Sequence, residues 1–142
     1  MSKIYVVGHK NPDNDAIMSA VIFSQLANAV DSDNEYVACR QGGLPGETRK
    51  LLEQCGFAEP ELLTRVEPAD EKVKVILTDH NELSQTLDGI ENAEVVGIID
   101  HHRIADVTTA QPAMFICMPW GSSCTVIARL FEIEGIEPTR EQ

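Results

Sequence analysis

From Lys3 the chain runs through Ile4-Tyr5-Val6-Val7 and stops at Gly8. An unbroken run of β-branched and aromatic side chains ending at a glycine predicts a strand over Lys3–Val7. Over Asp15–Val30 the period changes. Ile17, Val21 and Ser24 fall along one side, Met18, Ile22 and Leu26 along the next, and Ser24, Gln25 and Asn28 form the polar edge. Apolar positions covering most of the circumference predict a helix laid on a sheet.

The alternation then repeats. Tyr36–Cys39 reads as a strand, Gln41–Gly46 as turn chemistry, and Glu47–Cys55 as a short helix with Gly56 as its carboxyl-terminal stop. The acidic, two-proline segment Glu59–Glu71 reads as loop. Lys74–Leu77 is a strand, Glu82–Leu87 a short helix, Val95–Ile99 and Phe115–Met118 strands, and Ser122–Glu134 a helix closed by Gly135. This order predicts an α/β, Rossmann-like domain over residues 1–142: a mostly parallel sheet of about five strands, with helices on both faces. Ligands of such sheets lie in the crevice beyond the carboxyl ends of the strands.

Charge narrows the function. Lys and Arg total 11 against 23 Asp and Glu, a net charge of −12. Binding nucleic acid needs clustered basic groups, so the balance argues against it and suits carboxylates gathered around cations. No apolar run approaches the ~18 residues of a membrane span. The four cysteines, Cys39, Cys55, Cys117 and Cys124, form no Cys-x-x-Cys pair and read as reduced thiols of a cytoplasmic protein.

The chemistry is concentrated in the histidines. There are four, His9, His80, His101 and His102, and each follows directly on a predicted strand with an aspartate close by. Singly, a strand-end histidine is a polar surface residue, and Asp13 or Asp15 is a helix cap. Together they form a constellation, because a parallel sheet gathers those strand ends along one edge. Imidazole nitrogen with carboxylate oxygen, and no thiolate, suits Mn²⁺, Fe²⁺, Co²⁺ or Zn²⁺. The candidate ligands outnumber what one ion needs, and a bridging carboxylate can hold two ions ~3.5–4 Å apart. Gly121-Ser122-Ser123 opens the last helix and could offer amides to a phosphate, although an ordinary helix cap is the favoured reading.

His9-x-x-x-Asp13-x-Asp15 and Asp100-His101-His102 resemble the marks of the DHH phosphoesterase superfamily. Within it, Gly8–Asp13, Thr78–Glu82 and Asp100–Arg103 resemble the family II, manganese-dependent inorganic pyrophosphatases, as do Gly46-Glu47-Thr48 and Pro119–Thr125. The resemblance runs over essentially all 142 residues. It implies that His9 and Asp13 bind one metal ion, that Asp15 and His101 bind a second, and that Asp79 bridges them. It implies that His102 contacts the substrate, with Asp100 orienting the histidine pair. The implied cofactor is two Mn²⁺ ions, with Co²⁺ or Mg²⁺ as alternatives. The implied reaction is hydrolysis of pyrophosphate to two phosphates by a water or hydroxide held between the ions.

The resemblance also implies a second, carboxyl-terminal domain carrying substrate-gripping Lys and Arg groups, and one more ligand aspartate beyond the helix that closes at Gly135. On that reading residues 1–142 are the metal-binding DHH domain alone, poorly active by itself, with Lys10 and Arg103 as its nearby cations and no regulatory insert in the short Pro60–Lys74 connection. A homodimer is compatible with it. Two other functions compete: a DHH phosphoesterase acting on short oligonucleotides or cyclic dinucleotides, and an isolated DHH module without catalysis. Aromatic residues are only 5%, which leaves little for base stacking and counts against the first.

Overall fold

The computed structural model describes residues 1–142. Its strands are β1 (Ser2–Val7), β2 (Asn34–Arg40), β3 (Glu61–Leu62), β4 (Val73–Thr78), β5 (Ala93–Asp100) and β6 (Met114–Cys117). They form one sheet in the order β3-β2-β1-β4-β5-β6, and every pairing is parallel. The helices are α1 (Asn14–Val30), α2 (Gly46–Cys55) and α3 (Ser123–Glu134). The sheet thus has six strands where the pattern predicts about five. The additional one, β3, is two exposed residues inside the segment read as loop, too short to carry an alternation. The helix expected over Glu82–Leu87 contracts to a single 3-10 turn, Leu83–Gln85, and a second such turn spans Ile90–Asn92.

Both faces of the sheet are covered, by different means. Ile4 and Val6 of β1 and Ile76 of β4 face a core built with Ile17, Val21 and Phe23 of α1, Leu52 of α2, and Val126, Ile127 and Phe131 of α3. Val7, Val75 and Leu77 face the other way, onto Val66, Leu87 and Ile98, with Ile90 and Val107 at the margin. All three α-helices therefore lie on one face. Where helices were expected on the second face, it carries only 3-10 turns and loop. Right-handed crossovers account for this. The chain steps from β1 outward to β2 and β3, returns, and steps the opposite way from β4 to β5 and β6, so the later connections fall on the opposite face.

That reversal opens a crevice between the carboxyl ends of β1 and β4, the position where open parallel sheets bind ligands. A bulge in β5 sets the neighbouring strand end. Val95 pairs with Val75 but Gly97 pairs with Ile76, leaving Val96 as the extra residue, so that Ile99 comes opposite Thr78. The Asp79 amide then donates to the Ile99 carbonyl at 2.9 Å, which brings Asp79 beside Asp100.

At the end of β1, Gly8 lies against the first turn of α1. A methyl group there would run into the Ala16 carbonyl oxygen. Gly8→Ala is expected to destabilise the chain by about 1–3 kcal/mol through overpacking. A urea unfolding midpoint unchanged from that of the parent chain would contradict this close approach.

Candidate metal centre

Three strand ends build the centre. His9 follows β1, Asp79 follows β4, and Asp100 closes β5 ahead of His101 and His102. Asp13 and Asp15 enter with the first turn of α1. Asp79 is the pivot. It is 2% exposed and adopts a left-handed backbone, φ 61°, uncommon for a residue other than glycine. One carboxylate oxygen, Oδ2, lies 3.2 Å from His9 Nε2; the other, Oδ1, lies 3.0 Å from His101 Nε2.

Each imidazole is oriented from behind. His9 Nδ1 lies 2.7 Å from the Lys10 carbonyl oxygen and His101 Nδ1 lies 3.0 Å from that of Trp120. A carbonyl only accepts, so both Nδ1 atoms carry hydrogen and both Nε2 atoms face carboxylate oxygen, each with either a hydrogen or, in the neutral ring, a lone pair. Lone pair facing carboxylate is repulsive unless a proton or metal cation lies between.

Asp13 Oδ1 caps α1 by accepting from Ala16 N at 2.9 Å and lies 3.5 Å from His9 Nε2. The cap and the ligand position coexist, because Oδ2 remains free. Asp15 Oδ2 lies 3.5 Å from His101 Nε2. Both Asp15 oxygens also accept amides at the start of α3, from Ser123 at 2.7 Å and from Cys124 at 3.0 Å. The Ser123 amide, one of those considered for a phosphate, is therefore already engaged. The Ser122 hydroxyl caps the same helix through Thr125 N at 3.0 Å, as an ordinary N-cap would. Two clusters result, His9-Asp13-Asp79 and Asp79-His101-His102, each with donor atoms within 4.8 Å of one another and both sharing Asp79.

Asp100 is fully buried. Its Oδ1 accepts from His102 Nδ1 at 2.7 Å and from the His101 and His102 amides at 2.8 and 3.2 Å. This leaves His102 Nε2 turned away from Asp100, on a ring that is half exposed.

Electrostatics agree with a cation site. The hydrogen bond to Asp79 raises His9 to about 9 against the opposing effect of burial. Burial pushes the Asp79 carboxyl up. The pair therefore retains a proton well above neutrality, in the place a metal ion would take. Burial would also raise Asp15, but the Ser123 and Cys124 amides outweigh it and hold that carboxyl below its usual value. Burial, with Asp15 alongside, pushes the Cys124 thiol up, so no thiolate competes within the donor set. The residues present fit divalent ions that take nitrogen and oxygen.

Two residues singled out in the sequence behave otherwise. His80 turns inward at 3% exposure, with Nδ1 on the Thr78 carbonyl at 2.8 Å and no hydrogen bond to Nε2. Lys10 is held by Asp88 at 2.8 Å. Gln41, expected only as turn chemistry, Asn81, quoted only within a family motif, and the Trp120 carbonyl, which no pattern marks, hold the surrounding loops. Gln41 Nε2, for example, donates to the Gly8 and Gln85 carbonyls at 2.8 and 3.1 Å.

His80 gives the metal-free chain an acid-labile component. Burial lowers it from 6.5 to about 4. Below pH 6.5 the unfolded state takes up a proton that the folded state refuses. Stability is therefore lost as pH falls from about 6.5 to about 4, by on the order of 3 kcal/mol. Urea unfolding of the metal-free chain across that range should show this slope, and His80→Gln should flatten it. Equal slopes in the two proteins would refute it.

The fold and the site define a class of domain: a parallel α/β sheet with paired histidine–aspartate clusters at its switch point. Residues 3–142 match the DHH family, N-terminal domain, and the chain belongs to that family. It is 44% identical over 144 residues to a probable manganese-dependent inorganic pyrophosphatase of Archaeoglobus fulgidus, covering 94% of this chain and 44% of the relative. It is 40% identical over 138 residues to the manganese-dependent inorganic pyrophosphatase of Methanothrix thermoacetophila, covering 97% of this chain and 43% of the relative. The crystal structure of a Methanococcus jannaschii protein assigned as a family II inorganic pyrophosphatase superposes with a TM-score of 0.78 at 38% identity, covering 94% of this chain and 40% of that one. The chain spans less than half the length of the relatives it matches.

Proposed function

We propose that residues 1–142 form the metal-holding half of a manganese-dependent inorganic pyrophosphatase that acts in the cytoplasm. One observation carries the reading: two imidazole Nε2 atoms, each aimed by a backbone carbonyl behind its ring, face the two oxygens of a single buried carboxylate, Asp79. His9, Asp13 and one Asp79 oxygen would hold one ion. His101, Asp15 and the other Asp79 oxygen would hold the second. The ions, once bound, supply a shared acidified water and charge neutralisation on phosphoryl oxygen. Mn²⁺ suits this donor set and matches the relatives' names, and Co²⁺ or Mg²⁺ would substitute.

The chain's own residues do the positioning. Asp100 keeps the hydrogen of His102 on Nδ1, so Nε2 is presented to the substrate. Asp15 is held anionic by the amides of α3. Gripping a polyanion is left to other groups, because Lys10 is engaged by Asp88 and Arg103 stands 3.9 Å from Glu82. That division supports the domain reading, in which the remaining length of the relatives supplies the cations that close over pyrophosphate.

Titration of this chain with Mn²⁺, by calorimetry in buffers of different ionisation enthalpy, tests the reading. Two ions should bind, more weakly than to a full-length relative. Binding to this chain should release protons near neutral pH, because His9 retains its proton to about 9 until a cation displaces it. Apparent affinity should therefore rise with pH up to about 9. Binding of a single ion, or binding without proton release, would count against the shared-carboxylate site.

A further inference from the structure

We propose that Asn81 is a positioning residue of this centre, the clamp that holds the loop after β5, and with it His102, against Asp79. The proposal rests on the metal-site reading above. Asn81 lies two residues beyond Asp79 and is 3% exposed. Its side-chain amide donates to Asp100 Oδ2 at 2.6 Å and to the Arg103 carbonyl at 3.0 Å. Its side-chain oxygen accepts from Ala105 N at 2.5 Å, and its backbone carbonyl accepts from Val107 N at 3.1 Å. One residue on the β4 side thus reaches four residues spread along the 100–107 segment.

The segment's other ties are single contacts: the Leu83 amide donates to Asp106 Oδ1 at 2.8 Å, Cys117 Sγ to the His102 carbonyl at 3.2 Å, and the Trp120 carbonyl holds His101. It contains no helix or strand beyond Asp100, and His102 to Asp106 are all exposed. Asp100 divides its work between its two oxygens. Oδ1 accepts from the His101 amide, the His102 amide and the His102 ring, whereas the only partner of Oδ2 is Asn81. Without Asn81 a buried carboxylate oxygen is left unpaired, and such a group turns or shifts to find a donor. Any rotation of Asp100 moves the acceptor that fixes the His102 tautomer. Asparagine suits the position because it alone combines two donors and an acceptor at this length. Aspartate would set a second carboxylate against Asp100, and serine is too short to reach both Asp100 and Arg103.

The test compares three variants of this chain with the parent: Asn81→Ala, Asn81→Ser and, as control, Asn28→Ala. Asn28 also joins two elements by two hydrogen bonds, to Tyr36 N and Tyr36 O at 2.9 Å, remote from the histidines. Thermal unfolding, ¹⁵N imidazole shifts of His102 in metal-free protein, and Mn²⁺ titration are measured on each. Asn28→Ala should lower stability alone. Asn81→Ala should also move the His102 nitrogens toward an average of the two tautomers and weaken Mn²⁺ binding about 10–100-fold, with Asn81→Ser intermediate. If the Asn81 variants lose stability but keep the His102 shifts and Mn²⁺ affinity, the clamp is refuted. Should neither Asn81 variant fold, amide exchange in the parent decides: slow exchange at Ala105 and Val107 supports the clamp, and fast exchange overturns it. A parent chain that binds no Mn²⁺ would sink the metal reading, while the His102 shifts would still decide the clamp.

Discussion

Replacing Asp79 by alanine is expected to remove Mn²⁺ binding at both positions, with affinity falling at least 100-fold by the scale on which single ligand-shell changes act, ~10–100-fold for outer partners and more for direct ligands. The reason is the shared carboxylate. Oδ2 faces His9 at 3.2 Å and Oδ1 faces His101 at 3.0 Å, so one deletion strips both clusters. On the two-ion reading it would also remove the anion lying between two divalent charges. Asp13→Ala gives the contrast. It should impair the His9 side alone, and cost about 1 kcal/mol of helix capping. The left-handed backbone of Asp79 complicates the alanine variant, since φ 61° strains alanine more than aspartate or asparagine. Asp79→Asn separates the effects, because asparagine tolerates that conformation and removes only charge. Calorimetric titration that finds one ion still tightly bound to either variant would show that Asp79 does not bridge.

Pyrophosphate hydrolysis by this chain alone is expected to stay near background with Mn²⁺ present. The carboxyl-terminal part of a full-length relative, fused or added in trans, is expected to raise it at least ~10²-fold. Phosphoryl transfer depends almost wholly on positioning and on charge around the phosphoryl oxygens. Here Asp88 engages Lys10, Glu82 stands near Arg103, and the −12 charge of the chain repels a polyanion. Each absent preorganised contact costs ~10²–10³ in rate. Phosphate release from the short chain equal to that of the complemented one would mean that these residues already hold the gripping groups. Turnover of a dinucleotide in place of pyrophosphate would transfer the chain to the other DHH phosphoesterases.

Much of the architecture was legible in the sequence because it is local. Ile4-Tyr5-Val6-Val7 alternates between the two cores that the structure shows, and Gly56 and Gly135 end α2 and α3 in the left-handed conformation that stops a helix. The elements that escaped were those with too few residues to express a period. β3 is two exposed residues, and the turn at Leu83–Gln85 is three. The face on which each connection falls was not legible either, because it follows from the direction of travel across the sheet and not from composition.

The order of the histidines and aspartates along the chain, by itself, determined which side chains reach the crevice, since a parallel sheet delivers every strand's carboxyl end to the same edge. What each of them does there was decided by tertiary partners far away in sequence. His80 shares its spacing with the other histidines, yet it is folded inward onto the Thr78 carbonyl. Asp15 is held by amides of Ser123 and Cys124, more than a hundred positions further on. His101 is turned by the Trp120 carbonyl, and Asp100 is completed by Asn81. Residue type sets which atoms can donate or accept, but the partner that uses up one ring nitrogen determines where the other points. That partner is present only once the strands are side by side.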